Sequence, residues 1–236
     1  MVREPGPPGP PSRLHQLIRK LPPGVEFVVV ISWAFGLAIF SSVLSIRVTP
    51  TLPTFTNQAL TATIVIEILQ FAFLAWFLKV RGWTLGKFGL AVTARGTLSG
   101  LGLLAGVWAI TIVVQVIATT VFGFDMPAAM GRYPKAVGLS MEVVFIASTV
   151  NGVFEELFVA GYVISVLKPV RGIWTAVNVS TALRMLYHLY QGPLGLLTIV
   201  PMGLLLGHIY ARTGQLWPLM VAHVLLDIVG LALATN

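Results

Sequence analysis

Cysteine is absent from all 236 residues, which excludes disulfides, thiolate metal sites and a cysteine nucleophile. Charge is scarce too: Asp, Glu, Lys and Arg make up 10% of the chain, against about a quarter in soluble domains. Short strands with apolar and polar residues in alternation are missing, which argues against a membrane β-barrel. No internal repeat is visible, and the inverted repeats common in transporters are therefore not in evidence. No HExxH pair occurs, so the usual zinc-protease helix is lacking.

What the chain does hold is oil. It is 56% hydrophobic, with a mean hydropathy of +0.89, and runs of about 20 apolar residues recur along most of its length, as membrane-spanning helices require. The fold class expected is all-α, a polytopic membrane bundle of about seven spans, near 27–46, 58–78, 98–122, 139–167, 173–190, 193–211 and 216–234. The first run lacks a small-residue cleavage site and reads as a retained helix. Residues 1–24, with REPGPPGPPSR and LHQLIRKLPPG, read as a disordered Pro-rich tail, and 25–236 as a single membrane domain. Asn151-Gly152 sits inside the long 139–167 run and marks an expected tilt or break there.

The formal charge of +7 fits lipid better than nucleic acid, because Lys and Arg gather in cytoplasmic loops facing anionic headgroups. With the N-terminus inside, the cytoplasmic segments hold Arg3, Arg13, Arg19, Lys20, Lys79, Arg81, Lys87, Arg95, Lys168, Arg171 and Arg212. The opposite side holds Arg47, Arg132 and Lys135. The bias puts the N-terminus in the cytoplasm, and the expected location is a bacterial inner or plasma membrane.

Polar residues inside the spans are the exceptions that need a reason, since a charge at the bilayer centre costs about 3 kcal/mol on insertion scales. They are Glu67, Glu155, Glu156, Arg184, His188, His223 and Asp227, with His208 near a helix end. Arg184 and His188 are four apart and share a helix face; so do His223 and Asp227. Glu155 and Glu156 are adjacent, hence about 100° apart on a regular helix, and are not expected to meet one partner face-on. At about 1.5 Å per residue, each cluster lies roughly 17–22 Å from the cytoplasmic end of its span. The polar atoms are therefore expected to converge in one mid-membrane pocket. Glu67, beside Gln70, reads as a bridge between helices, and His208, near Arg212, as a capping or snorkelling side chain.

At these residues the chain resembles a known family. FEELFVAGYV, RMLYH and HVLLD look like, in order, the EExxxR, FxxxH and HxxxN motifs of the CPBP family (CAAX proteases and bacteriocin-processing enzymes, also called ABI), intramembrane glutamate endopeptidases of the Rce1 type. The resemblance covers about 140–236. It implies an endopeptidase that cuts a membrane-anchored, possibly prenylated or CAAX-like, protein or peptide, with Glu155, Glu156, His188, His223 and Asp227 as the catalytic set. Glu155 and His188 would activate a water, and His223, assisted by Asp227, would stabilise the oxyanion. Asn151, one turn before Glu155, would position it.

Three positions depart from the pattern. Ala160 stands where the EExxxR arginine belongs, Arg184 where the FxxxH phenylalanine belongs, and Asp227 in place of Asn. The first two have one physical account: losing the cation at 160 would strand a buried carboxylate, and Arg184 supplies it from the next helix. In that account Arg184 pairs with Glu156 and leaves Glu155 free for chemistry. No cofactor is expected. A zinc ion held by Glu155, His188, His223 and Asp227 is the rival chemistry, which the buried Arg184 opposes. An inactive scaffold or immunity protein of the same fold is the alternative function, and a proton-coupled transporter the next. The oligomeric state is not legible.

Overall fold

In the computed structural model, residues 13–48, 54–130 and 134–234 are described. Among the described residues the regular structure is helical apart from a two-residue parallel pairing of β1 (Thr54–Phe55) with β2 (Lys135–Ala136), in register Thr54 to Lys135. The helices run α1 (Arg13–Arg19), α2 (Pro23–Val48), α3 (Asn57–Val80), α4 (Ala94–Thr120), α5 (Met126–Met130) and α6 (Met141–Glu155). A π-helical stretch (Glu156–Tyr162) leads into α7 (Val163–Arg171), followed by α8 (Ile173–Tyr187), α9 (Gly192–Thr213) and α10 (Trp217–Ala234).

Hydroxyls begin several of these helices. Thr56, Thr93 and Ser140 each accept from the backbone N–H three residues on and so satisfy an orphan donor of α3, α4 and α6. Among the described residues, six helical segments are long and apolar enough to cross a membrane: 23–46, 57–80, 94–120, 141–171, 189–213 and 217–234. The expected span 173–190 takes a different form. Its helix, α8, has 15 residues, about 22 Å at the standard rise, short of the ~30 Å apolar layer. The chain then turns through Leu189–Gln191 and reverses at Gly192, whose φ of +68° suits a residue without Cβ.

Small residues set the helix spacing, as in other membrane bundles. A Cβ on Gly100 of α4 would lie 2.6 Å from Val221 of α10, and one on Gly152 of α6 would lie 2.8 Å from Val224. Gly203 and Gly207 bring α9 onto Thr181 and Val177 of α8 in the same way.

Two expectations need correction. Asn151-Gly152 does not break its helix: α6 runs through both residues, because Gly152 is needed for close approach to α10 and costs the helix little there. The irregularity comes later, in the π-helical turn at 156–162. The second concerns the start of the chain, where disorder was expected through residue 24. Residues 1–12 lie outside the described residues, but from Arg13 the chain is helical. Ile18 of α1 is buried, and Arg81 donates to the carbonyls of Ile18 and Arg19 at 3.0 and 2.7 Å. Capped carbonyls and one buried apolar side chain hold this short polar helix down. The same Arg81 pairs with Glu26, which also accepts from Trp83 Nε1 and Tyr162 Oη at 2.8 and 3.1 Å. The start of α2 is thereby tied to the far end of the π-helical turn.

Candidate active site

Glu155 closes α6 and Glu156 opens the π-helical turn, so the two carboxyls stand where the helix widens from i→i+4 to i→i+5 bonding. Both side chains are buried, Glu156 completely and Glu155 with 6% exposure. Arg184, on α8, enters between them with 1% exposure. Its Nη2 donates to Glu156 Oε1 at 2.7 Å and its Nη1 lies 3.4 Å from Glu155 Oε2. The adjacent glutamates therefore do share a partner, contrary to the regular-helix expectation. The altered turn and the two-nitrogen reach of a guanidinium make this possible. Arg184 pairs with Glu156 as the relocation account expects, but Glu155 is not left free.

The second partner of Glu155 is Tyr187, which the sequence reading missed. Its hydroxyl donates to Glu155 Oε2 at 2.6 Å, and its ring stacks on Phe35 of α2 with centroids 4.9 Å apart. The signal was there in principle: Tyr187 lies three residues after Arg184, on the same helix face. Amid apolar neighbours, however, a tyrosine reads as core.

His223 of α10 packs against both acids. Its Nδ1 lies 2.7 Å from Glu156 Oε1, and its Nε2 lies 3.9 Å from Glu155 Oε2 and 3.6 Å from Asp227 Oδ1. A carboxylate oxygen can only accept, so Nδ1 carries the hydrogen in that contact. Glu156, not Asp227, is thus the nearer partner that orients His223. Asp227 instead accepts from Asn151 Nδ2 at 3.0 Å. Asn151 holds Asp227 across the α6–α10 contact and is not seen bonded to Glu155, because Gly152 brings α10 close enough for the amide to reach it.

His188 sits one residue past the end of α8, in non-helical backbone (φ −109°, ψ 7°). Its Nδ1 lies 3.0 Å from the Arg184 carbonyl, one turn back. A carbonyl accepts, so Nδ1 donates and Nε2 is the nitrogen left for other work. The face shared by Arg184 and His188 is thus a backbone bond and not two stacked side chains. Ser180 Oγ donates to the Val159 carbonyl at 2.6 Å, bracing the π-helical turn against α8.

Among the described residues, no three His, Asp or Glu side chains are grouped as a metal site; the Arg184 Nη1 lies 3.4 Å from Glu155 and 3.5 Å from His223, two members of the zinc set considered above. His208 lies apart from the cluster, with its ring 5.1 Å from that of Trp174. Glu67 is buried on α3, and its Oε2 has no partner among the described residues.

This geometry links six charged or titratable side chains, Glu155, Glu156, Arg184, Tyr187, His223 and Asp227, from three helical segments. Residues 137–229 match the family model "Type II CAAX prenyl endopeptidase Rce1-like". Over that segment the chain is similar to the Rce1-like family. No curated protein and no solved structure matches it. The Rce1-like segment runs from just before α6 into α10 and contains Asn151, both glutamates, Arg184, Tyr187, His188, His223 and Asp227. With six long apolar helical segments among the described residues, the chain is a multi-pass membrane protein with a segment similar to a CAAX-protease family.

Proposed function

We propose that the protein is an intramembrane endopeptidase that hydrolyses a peptide bond of a membrane-anchored, CAAX-like substrate with a water activated by Glu155 and His188, without a metal. The observation that carries this reading is the unequal treatment of the two acids. Glu156 is wholly enclosed and clamped by Arg184 and His223, which suits an anchor. Glu155 retains some exposure and is steered by the Tyr187 hydroxyl, which suits a base.

The hydrolysis then runs as follows. Glu155 accepts one proton of the water, and His188 Nε2, freed by its bond through Nδ1, holds the water from a second side. The oxygen adds to the scissile carbonyl carbon, and the negative charge on the carbonyl oxygen is met by the Nε2–H of a His223 imidazolium, whose Nδ1–H stays on Glu156, with the Arg184 guanidinium close behind it. As the C–N bond breaks, the proton held by Glu155 passes to the leaving amine, so that water is consumed and no group stays altered. General-base and oxyanion contributions of this kind are each worth roughly a hundredfold or more in rate. The match to the CAAX endopeptidase family supports a prenylated peptide as the substrate class. Cleavage of a prenylated peptide panel by purified protein tests the reading, wild type against Glu155→Ala, with and without chelator. Cleavage that needs Glu155 and survives the chelator is expected. Wild-type protein that leaves every peptide whole, or activity that the chelator removes, would overturn it.

One observation favours a second reading, an inactive scaffold of the same fold. Arg184 lies 3.4 Å from Glu155 Oε2, which also accepts from Tyr187, so two donors compete with a water for the lone pairs of that oxygen. A cellular phenotype that survives Glu155→Gln would decide for the scaffold.

A further inference from the structure

A cavity of about 570 Å³ opens at the end of the bundle where Lys and Arg gather, the end expected to face the cytoplasm. No residue of the candidate active site lines it. Its size lies in the range of small-molecule sites, about 300–1,000 Å³. Three pieces of chain meet here: the turn between α3 and α4, with Gly86, Lys87 and Gly89; α7, with Ser165 and Lys168; and the end of α9, with Tyr210. Two ammonium groups thus line one cavity, and among the described residues no acid lines it. Glu26, which accepts from Trp83 of the same turn, is already paired with Arg81.

Both ammonium groups are tethered but not used up. Lys87 Nζ donates to the Gly82 carbonyl and Lys168 Nζ to the Ala211 carbonyl, each at 2.7 Å. An ammonium carries three hydrogens, so one such bond leaves two on each lysine. The tethers also reduce the side-chain freedom that long lysines lose on binding, and the Trp83 ring, 5.9 Å from Lys87 Nζ, steadies that group further. The walls are firm. A Cβ on Gly89 would run into the Gly214 carbonyl, and the Leu216 N–H donates to the Gly89 carbonyl at 3.2 Å, so two turns are pressed together backbone to backbone. Tyr210 is 4% exposed, and its hydroxyl lies 2.9 Å from Ser165 Oγ, 3.2 Å from the Phe88 carbonyl and 3.3 Å from the Gly161 carbonyl. Gly161 belongs to the π-helical turn that begins at Glu156.

The geometry points to this cavity as a site for the phosphate of an anionic lipid headgroup, bonded by Lys87 and Lys168. Basic pockets between membrane helices on the cytoplasmic side take headgroups of this kind. The rim favours a lipid over a free ion. Leu85 and Val170, next in sequence to Gly86 and Pro169 of the lining, are 61% and 72% exposed, so acyl chains find apolar surface beside the phosphate. A lipid held here joins the α3–α4 turn to α7 and α9 and, through Tyr210 and Gly161, steadies the turn on which Glu156 stands. The site binds lipid whether or not the chain cuts peptides.

The test titrates the full chain in detergent with short-chain phosphatidylglycerol, phosphatidylcholine or sodium phosphate. Bound lipid is counted by native mass spectrometry, and unfolding temperature is measured alongside. Phosphatidylglycerol is expected to bind about tenfold or more tightly than phosphatidylcholine and to raise the unfolding temperature. Lys87→Gln with Lys168→Gln should abolish that preference. Lys79→Gln with Arg95→Gln removes two exposed cations at the same end but outside the lining, and should keep it. Gly86→Trp covers the case of a lysine variant that folds poorly, because it fills the cavity and leaves both lysines in place. A Cβ at Gly86 meets only Thr84 Oγ1, at 3.9 Å, and phosphatidylglycerol should again lose its advantage. Equal binding of the two lipids by wild type, or an equal loss from both double variants, would overturn the proposal. So would a Gly86→Trp protein that keeps the preference. Sodium phosphate that raises the unfolding temperature as much as phosphatidylglycerol at equal concentration would give the cavity to a free ion and end the lipid assignment.

Discussion

The two ends of this chain are built from similar apolar runs and do different jobs. In α2, α3 and α4, between 17% and 22% of the spanning residues are buried within the protein, whereas the Met141–Arg171 and Leu189–Thr213 spans have 61% and 50% buried. The early helices present large side chains such as Leu37, Phe40, Leu69 and Ile112 outward, as lipid-facing surfaces do. The later helices spend their interior on polar groups and reach close contact through glycine. Hydropathy alone does not separate these roles, because lipid and protein core are equally apolar to a side chain. Position of the polar atoms does.

The comparison can be broken most forcefully at Arg184. Arg184→Ala would leave two buried carboxylates without their cation, and removing one partner of a buried ion pair costs about 3–5 kcal/mol. The variant is expected to lose most of its thermal stability in detergent, measured by unfolding temperature. The relocation account adds a sharper expectation: Ala160→Arg combined with Arg184→Phe should be more stable than Arg184→Phe alone. Equal stability of the two would end that account.

Gly152 comes next. Gly152→Val would drive its side chain into Val224 and the α10 backbone, where even a Cβ would meet atoms at 2.8 and 3.1 Å. Overpacking of this sort costs about 1–3 kcal/mol, and separation of α10 from α6 would also carry Asp227 away from Asn151. Lower stability together with reduced cleavage is expected, whereas Gly36→Val on α2, where a Cβ meets nothing within 4 Å, should leave both unchanged.

Tyr187→Phe removes one hydroxyl and keeps the ring that stacks on Phe35. A hydrogen bond to a charged group is worth about 1.5–3 kcal/mol, so cleavage should fall roughly ten- to a hundredfold with the fold retained, as followed by peptide hydrolysis and circular dichroism. The smallest effect belongs to the lipid face. Leu37→Ala, at a side chain 56% exposed, should shift stability by no more than about 0.5 kcal/mol. A larger loss at Leu37 than at Gly152 would reverse the contrast between the two regions.

Much of the site was legible because charge in an apolar run is costly and therefore informative. Glu155, Glu156, Arg184, His223 and Asp227 could each be picked out on that ground, and the pairing of Arg184 with Glu156 followed from the cation missing at Ala160. What escaped was whatever depends on contact between helices. Tyr187 is indistinguishable from core until Glu155 is seen beside it. Asn151 lies one turn before Glu155 in sequence, but α10 passes closer and takes its amide. The π-helical turn has no composition of its own, since residues 156–162 are as apolar as any helix after the glutamates. The short α8 looked like a span because a polar residue every few positions, here Asn178, Ser180, Thr181 and Arg184, does not reveal where the helix stops.

The account's central claim is a division of labour: Glu155 performs the chemistry and Glu156 holds the pocket together. Its most direct test is hydrolysis of a prenylated peptide by Glu155→Gln and Glu156→Gln in the same bilayer, with unfolding temperature measured alongside. Glu155→Gln should keep the wild-type unfolding temperature within a few degrees and lose cleavage at least a hundredfold, while Glu156→Gln should lose stability first. Wild-type cleavage by a folded Glu155→Gln protein would contradict the account.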